Sequence, residues 1–253
     1  MKYSSRFFLY APLLVFLGFA AWAMAYWWSL TGALDKKLTA LNGHEALPGI
    51  TMSYASKTIS GFPFNIDVVF TGLKFSGAGA HGPVAWTTES FALHRLTYGR
   101  AQDIYEAAGH QSLSWTDSNG KAHAFHFLPG SLRASSITDA RGLARFDLDM
   151  IAMDGTDTDG APFTAGRLQF HLRRDPKGNA LDLMASADSV KGKNIQIKTL
   201  RSYSTLTNAR PLAKLLAGTQ SWPDATAAWE KSGGVSQPDA QGASRVPLLT
   251  ALY

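Results

Sequence analysis

Phe62-Pro63-Phe64-Asn65-Ile66-Asp67-Val68-Val69-Phe70 is the stretch whose reading decides the fold. Its large apolar residues Phe62, Phe64, Ile66, Val68 and Phe70 fall on every second position, and a strand sends alternate side chains to opposite faces. A strand with one strongly apolar face is therefore expected, and these five residues are the candidate surface for a hydrophobic molecule. Pro63 has no amide hydrogen to donate, so it belongs at the strand's start or on a sheet edge.

The period of two returns down the chain, in Phe146, Leu148, Met150 and Ala152, in Leu168, Phe170 and Leu172, in Leu181, Leu183 and Ala185, and in Ile195 and Ile197. Turn residues bound these runs: Asp154-Gly155, Asp159-Gly160, Pro176-Lys177-Gly178 and Lys191-Gly192. Short, evenly spaced strands of this kind imply an antiparallel meander. One hairpin can be read to its register. A two-residue Asn119-Gly120 turn would place Phe125 and Phe127 opposite in facing to Leu113 and Trp115, whereas a three-residue loop of Ser118, Asn119 and Gly120, with Gly120 left-handed, puts all four on one face. The second register is expected.

Upstream, residues 7 to 28 carry no charge. At about 1.5 Å per residue they make a helix of roughly 33 Å, against a hydrocarbon core of about 30 Å. Trp22, Tyr26, Trp27 and Trp28 crowd its far end as an aromatic belt would. Ala23-Met24-Ala25 also has the small-x-small form of a signal-peptidase site, so cleavage is the competing reading to a signal-anchor. Lys2 and Arg6 on one side nearly balance Lys36 and Lys37 on the other. A short N-terminal flank before a long domain places the domain outside the cytoplasm, and so an inner-membrane, single-pass protein with its C-terminal domain in the periplasm is expected. Leu30, Leu34, Leu38 and Leu41 then recur at helical spacing as an amphipathic stalk ending at Gly43 or Pro48.

Downstream, Asn208 is a candidate cap, Leu212, Leu215 and Leu216 share a helical face, and Gly218 is a stop. Ser221-Trp222-Pro223-Asp224 opens a second short helix, which Trp229 would anchor. The chain thus divides into a transmembrane signal-anchor (1–29), an amphipathic stalk helix (30–48), an antiparallel β domain (49–206), short helices (207–231), and a linker or incomplete C-terminal part (232–253). The fold class is mainly β: one N-terminal transmembrane helix, then a curved antiparallel meander with short C-terminal helices.

Composition agrees with a folded chain. Of 253 residues, 45% are hydrophobic and 17% charged, enough for one substantial core beyond the leading helix. The net charge of +5 comes without a dense basic run, so nucleic acid is not an expected partner. With no Cys in the chain, disulfides, thiolate metal sites and Cys nucleophiles are excluded.

The chemical motifs have plainer explanations. Gly77-Ala78-Gly79-Ala80-His81-Gly82, with Asp103 downstream, mimics a dinucleotide loop, but Pro83 and a strand-like Trp86 follow instead of a helix, so a hairpin loop is expected. His123 and His126 are three apart on a strand and face opposite ways, and His44, His81, His94, His110 and His171 lack ligand spacing. Asp154, Asp157 and Asp159 before Gly160 resemble part of a calcium loop, yet Ala165 falls where the acidic twelfth ligand is needed. Ser in a nucleophile elbow is missing. Lys191, Lys193, Lys198, Arg201, Arg210 and Lys214 read as solvated strand faces, with a surface for anionic lipid headgroups as the alternative. No cofactor, no metal and no enzymatic activity are expected.

The charged tip, the Trp-rich helix, the Ile59-Ser60-Gly61-Phe62-Pro63-Phe64 step into a strand and Trp86 after the next loop resemble a Gram-negative membrane-anchored family catalogued as domain of unknown function 2125. The likeness covers most of residues 1 to 200, and it implies no activity, cofactor or catalytic residue. In outline the chain is also similar to AsmA-like envelope proteins, whose membrane helix and curved sheets imply lipid handling; that likeness is architectural. The expected roles are binding of a lipid or other hydrophobic molecule in a β-sheet groove or, alternatively, service as an envelope scaffold that holds another protein by edge strands or the stalk.

Overall fold

The computed structural model describes residues 5–79, 81–96, 101–177, 179–193 and 195–238, with side chains from residue 10. Lys2, the apolar ending at 246–253 and most of the expected linker lie outside the described residues. A single helix, α1 (Ser5–Leu41), leads into twelve strands: β1 (His44–Leu47), β2 (Ile50–Ser53), β3 (Ser56–Ser60), β4 (Asn65–Ala78), β5 (Pro83–Leu96), β6 (Gln102–Thr116), β7 (Ala122–Asp139), β8 (Gly142–Thr156), β9 (Pro162–Arg174), β10 (Ala180–Gly192), β11 (Ile195–Thr207) and β12 (Ser236–Pro238). Between the last two come a 3-10 turn (Arg210–Leu212), α2 (Ala213–Leu216) and α3 (Trp222–Lys231). All strands join one open antiparallel sheet in the order β1-β2-β4-β5-β6-β7-β8-β9-β10-β11-β12, with β3 also on β4. The expected meander is the observed one, because each strand hydrogen-bonds to its sequence neighbour from β4 to β11.

The sheet has one apolar and one polar face. Paired residues point the same way, so the register places Val68, Leu93, Tyr105, Ala134, Leu148 and Phe170 in one inward row, and Phe70, Phe91, Ala107, Leu132, Met150 and Leu168 in the next. The outer face carries cross-strand acid–base pairs: Asp67 with His94 at 2.7 Å, Glu106 with Arg133 at 3.0 Å, and Asp149 with Arg167 at 2.8 Å. There Asp147 accepts from both His171 and Arg145. Partial burial pushes the Asp147 carboxyl up, but these two donors more than offset it and hold it below the usual carboxylate range.

The apolar face is covered at both ends. Leu30, Leu34, Leu38 and Leu41 of α1 pack on Met52, Ile66, Val68, Phe70 and Leu73, while Tyr54 donates its hydroxyl to Leu38 O at 3.0 Å. Lys57 pairs with Asp35 at 2.9 Å, and that hydrogen bond raises the Lys57 pKa. Of the two stops expected for the stalk, Gly43 and Pro48, the chain uses the first, since the helix stops at Leu41 and His44–Leu47 is strand. Gly43, at φ +78°, turns the chain back, and the Asn42 side chain takes the backbone N–H of Tyr54.

At the other end Leu212, Ala225 and Trp229 close over Leu181 and Leu206. Trp229 donates its indole N–H to Thr207 O at 2.8 Å, Ser221 caps α3 through the Asp224 amide, and Gly218 at φ +70° ends α2, as the sequence predicts. The cap expected at Asn208 is instead a φ +53° residue whose amide donates to Gly233 O, and Ala209 precedes the 3-10 turn. The segment linking α2 to α3 reaches the first hairpin: a Cβ on Gly218 would lie 3.2 Å from the Leu47 side chain and one on Gly49 3.7 Å from Ser221. The C-terminal helices thus touch both edge regions of the sheet, which curls without closing.

Curvature comes from a crease running across the strands. Gly72 (φ +61°), Gly109 (φ +78°), Ala152 (φ +52°) and Ser189 (φ +54°) leave the extended conformation in mid-strand. The registers align them with Glu89, Gly130 and Gly166 of the neighbouring strands, where pairing skips. Such bulges bend a strand and increase its twist. At Gly109 an added Cβ would meet Glu89 Cβ at 2.8 Å, whereas at Gly120, with a similar φ of +76°, it would meet nothing. Gly120→Ala is therefore expected to cost about 1 kcal/mol for its backbone conformation alone. Gly109→Ala should cost about 1–2 kcal/mol more, since the crease must open. Equal losses in paired thermal melts would show that the crease is not tightly packed.

Candidate functional site: an apolar groove on the inner face

Between the two covered ends, β5 to β8 enclose a groove of about 400 Å3. One face of four adjacent strands can line such a volume only if the sheet bends around it, which ties the groove to the crease. Its walls are successive cross-strand rows. Tyr105, Ala134 and Leu148 lie together, then Phe91, Ala107, Leu132 and Met150, with Trp86, Leu113 and Phe127 beyond them. The aromatic rings interlock: Trp86 meets Phe91 edge-on at 5.9 Å, and Phe91 lies 6.0 Å from Tyr105. This size and lining match pockets that take drug-sized apolar molecules.

A polar group closes one end, in the row of Arg95, Asp103, Ser136 and Phe146. Arg95 grips Asp103 with two parallel hydrogen bonds of 2.5 Å. The Asp103 side chain is 7% exposed and that of Arg95 51%, so the carboxylate is compensated while part of the guanidinium stays accessible. Its hydrogen bond to Asp103 raises the Arg95 pKa. Burial is the main reason that the Tyr105 pKa is raised, and its hydroxyl sits 3.0 Å from Ser136 Oγ. The groove thus combines an apolar length with a charged, hydrogen-bonding end.

The residues singled out from sequence fall elsewhere. Ile66, Val68 and Phe70 are on the inner face, but Val68 is 0% exposed and all three lie beneath α1. Phe62 and Phe64 precede β4 in a turn containing the cis Phe62-Pro63 bond, so the strand begins only at Asn65. The expected ligand surface at Phe62, Phe64, Ile66, Val68 and Phe70 is therefore corrected: the stalk helix occupies its strand part, and the open apolar surface lies one to four strands away, on β5 to β8. The run of Phe146, Leu148 and Met150 along β8 was legible as a strand; that its apolar side stays open depends on where the helices end.

The other motifs resolve as turns and pairs. Gly77 and Ala78 end β4, and Gly79 donates its backbone N–H to Gly82 O just before β5, while Ala80 lies outside the described residues. Asp157 accepts the amides of Asp159 and Ala161 in its own hairpin, and Asp117 does the same for Asn119 and Lys121. His123 pairs with Asp117 at 2.8 Å and stacks on Trp115. Among the described residues no group of three His, Asp or Glu is placed to hold a metal.

Fold and groove together define a class: an open antiparallel sheet with an apolar groove, preceded by a helix long and apolar enough to cross a membrane. The chain belongs to the family described as an uncharacterized protein conserved in bacteria, domain of unknown function 2125, which it matches over residues 27–244. That span begins at Trp27, whose indole N–H donates to Asn65 O at the start of β4. No curated protein and no solved structure matches the chain, and the expected likeness to AsmA-like proteins is not shown.

Proposed function

We propose that this protein is a non-enzymatic envelope protein, anchored by α1 in the inner membrane with its sheet in the periplasm, that holds a lipid or similar amphiphile in the β5–β8 groove. The observation that carries this reading is the uncovered apolar wall of Phe91, Leu113, Phe146, Leu148 and Met150, in a chain whose helices cover its inner face at both ends. Leaving such a wall to water forfeits about 25 cal/mol per Å2 of apolar area, and an acyl chain recovers it. The Arg95–Asp103 pair offers donors to a polar headgroup. Native mass spectrometry of the detergent-purified full chain is the test. A bound hydrophobe that an added lipid displaces is expected, and protein that stays empty after lipid addition sinks the reading.

A second reading, a scaffold for another envelope protein, draws support from β11. It pairs with β12 only at residues 204–206, so among the described residues positions 195–203 offer backbone groups to an added strand. In-cell crosslinking separates the two, because lipid adducts favour the groove and one stoichiometric protein partner favours the edge.

A further inference from the structure

We infer that the turn before β4, with Phe62 and Phe64, and the adjoining Leu96 form a seat that enters the headgroup region of the bilayer crossed by α1. The inference rests on α1 spanning a membrane and goes beyond groove binding. The apolar part of α1 from Tyr10 to Trp28 is lipid-like in exposure, with Leu14, Phe16 and Trp22 at least 60% exposed. At about 1.5 Å per residue it covers roughly 28 Å, close to the hydrocarbon thickness of about 30 Å. Trp27 and Trp28 must then lie at the membrane–water boundary.

Trp27 is fixed to the sheet at that point. Its indole N–H donates to Asn65 O at 2.9 Å, and its ring meets Phe62 edge-on at 5.6 Å. The headgroup layer is roughly 5–7 Å thick on each side, so a ring this close to Trp27 shares it. Asn65 pairs with Leu96, bringing a third apolar side chain to the same strand end. Phe62, Phe64 and Leu96 are 47%, 64% and 51% exposed. Three exposed apolar groups at one rim beside a membrane anchor fit the interface and are poorly placed in bulk water. Arg95, at the polar end of the groove, is the next residue along β5. The seat therefore brings that end of the groove to the bilayer, where an amphiphile can pass between membrane and groove.

The chain has no Cys, so single-cysteine variants can be labelled cleanly. The test reconstitutes full-length Phe64→Cys, Leu96→Cys, Trp28→Cys and Asn119→Cys, each carrying a nitrobenzoxadiazole fluorophore, in vesicles of phosphatidylethanolamine and phosphatidylglycerol with spin-labelled lipids. Asn119 sits in the β6–β7 turn at the opposite strand end. Labels at 64 and 96 are expected to be blue-shifted and quenched as at 28, while the label at 119 stays water-like. Quenching at 28 without quenching at 64 and 96 overturns the seat alone. Quenching at 119 equal to that at 64 overturns it by laying the whole domain on lipid. Loss of quenching at 28 removes the anchor reading, and the seat with it.

Discussion

Val68→Asp is expected to strip α1 from the sheet and lower the melting temperature by about 8–16 °C, whereas Val69→Asp, one residue away, should be nearly silent. Val68 is 0% exposed and packed in the cluster that includes Leu34 and Leu38 of α1 and Phe70 and Leu93 of the sheet. A carboxylate there has no partner and must stay protonated or drag water into the contact, at about 4 kcal/mol or more. For a chain of this size each kcal/mol shifts the midpoint by about 2–4 °C. Val69 points to the outer face between Thr58 and Ala92, where a charge is solvated and costs about 0.5 kcal/mol or less. Circular-dichroism melts of both variants in detergent decide it. Equal losses would mean that the two sheet faces do not differ as described.

Ala134→Trp is expected to abolish lipid retention while leaving the sheet folded. Ala134 lies between Tyr105 and Leu148 in the groove wall, and an indole there fills space that an acyl chain would use. Displacing two methylenes costs the ligand about 1.6 kcal/mol, more than tenfold in affinity, and a full indole excludes more. Ser135→Trp directs the same bulk to the outer face, opposite Ile104 and Asp147, and should retain ligand as the unaltered protein does. The measurement is the bound-to-empty ratio in native mass spectra. Retention by both variants would place the hydrophobe outside this groove.

Much of the architecture could be read from local rules. The hairpin at 117–121 has the three-residue loop expected, with Gly120 at φ +76°, Asp117 N–H bonded to Lys121 O, and Leu113 facing Phe125. That register was legible because only one loop length puts four apolar residues on one face. Ser221, Gly218 and Trp229 were legible because caps and stops are written within one turn of helix. The crease was not foreseen, though mid-strand Gly72, Gly109, Gly130 and Gly166 carry a signal for it. A single glycine in a strand says only that the strand bends. The row appears once the strands are paired and the bends coincide.

The sequence alone determined that the chain alternates as an antiparallel sheet, that one face of the sheet is apolar, and that a helix with an uncharged stretch at 7–28 precedes it. These are properties of neighbouring residues, set by the two-residue and 3.6-residue periods of the backbone. Which part of the apolar face is buried was decided only in three dimensions. Ile66, Val68 and Phe70 look in sequence like Phe146, Leu148 and Met150, yet α1 lies over the first set and an open groove over the second. The difference comes from contacts between residues far apart in the chain: Leu30 to Leu41 at one end, Leu212 to Trp229 at the other, and bulges aligned across strands between them. Burial is a property of such pairings, and no local pattern encodes it.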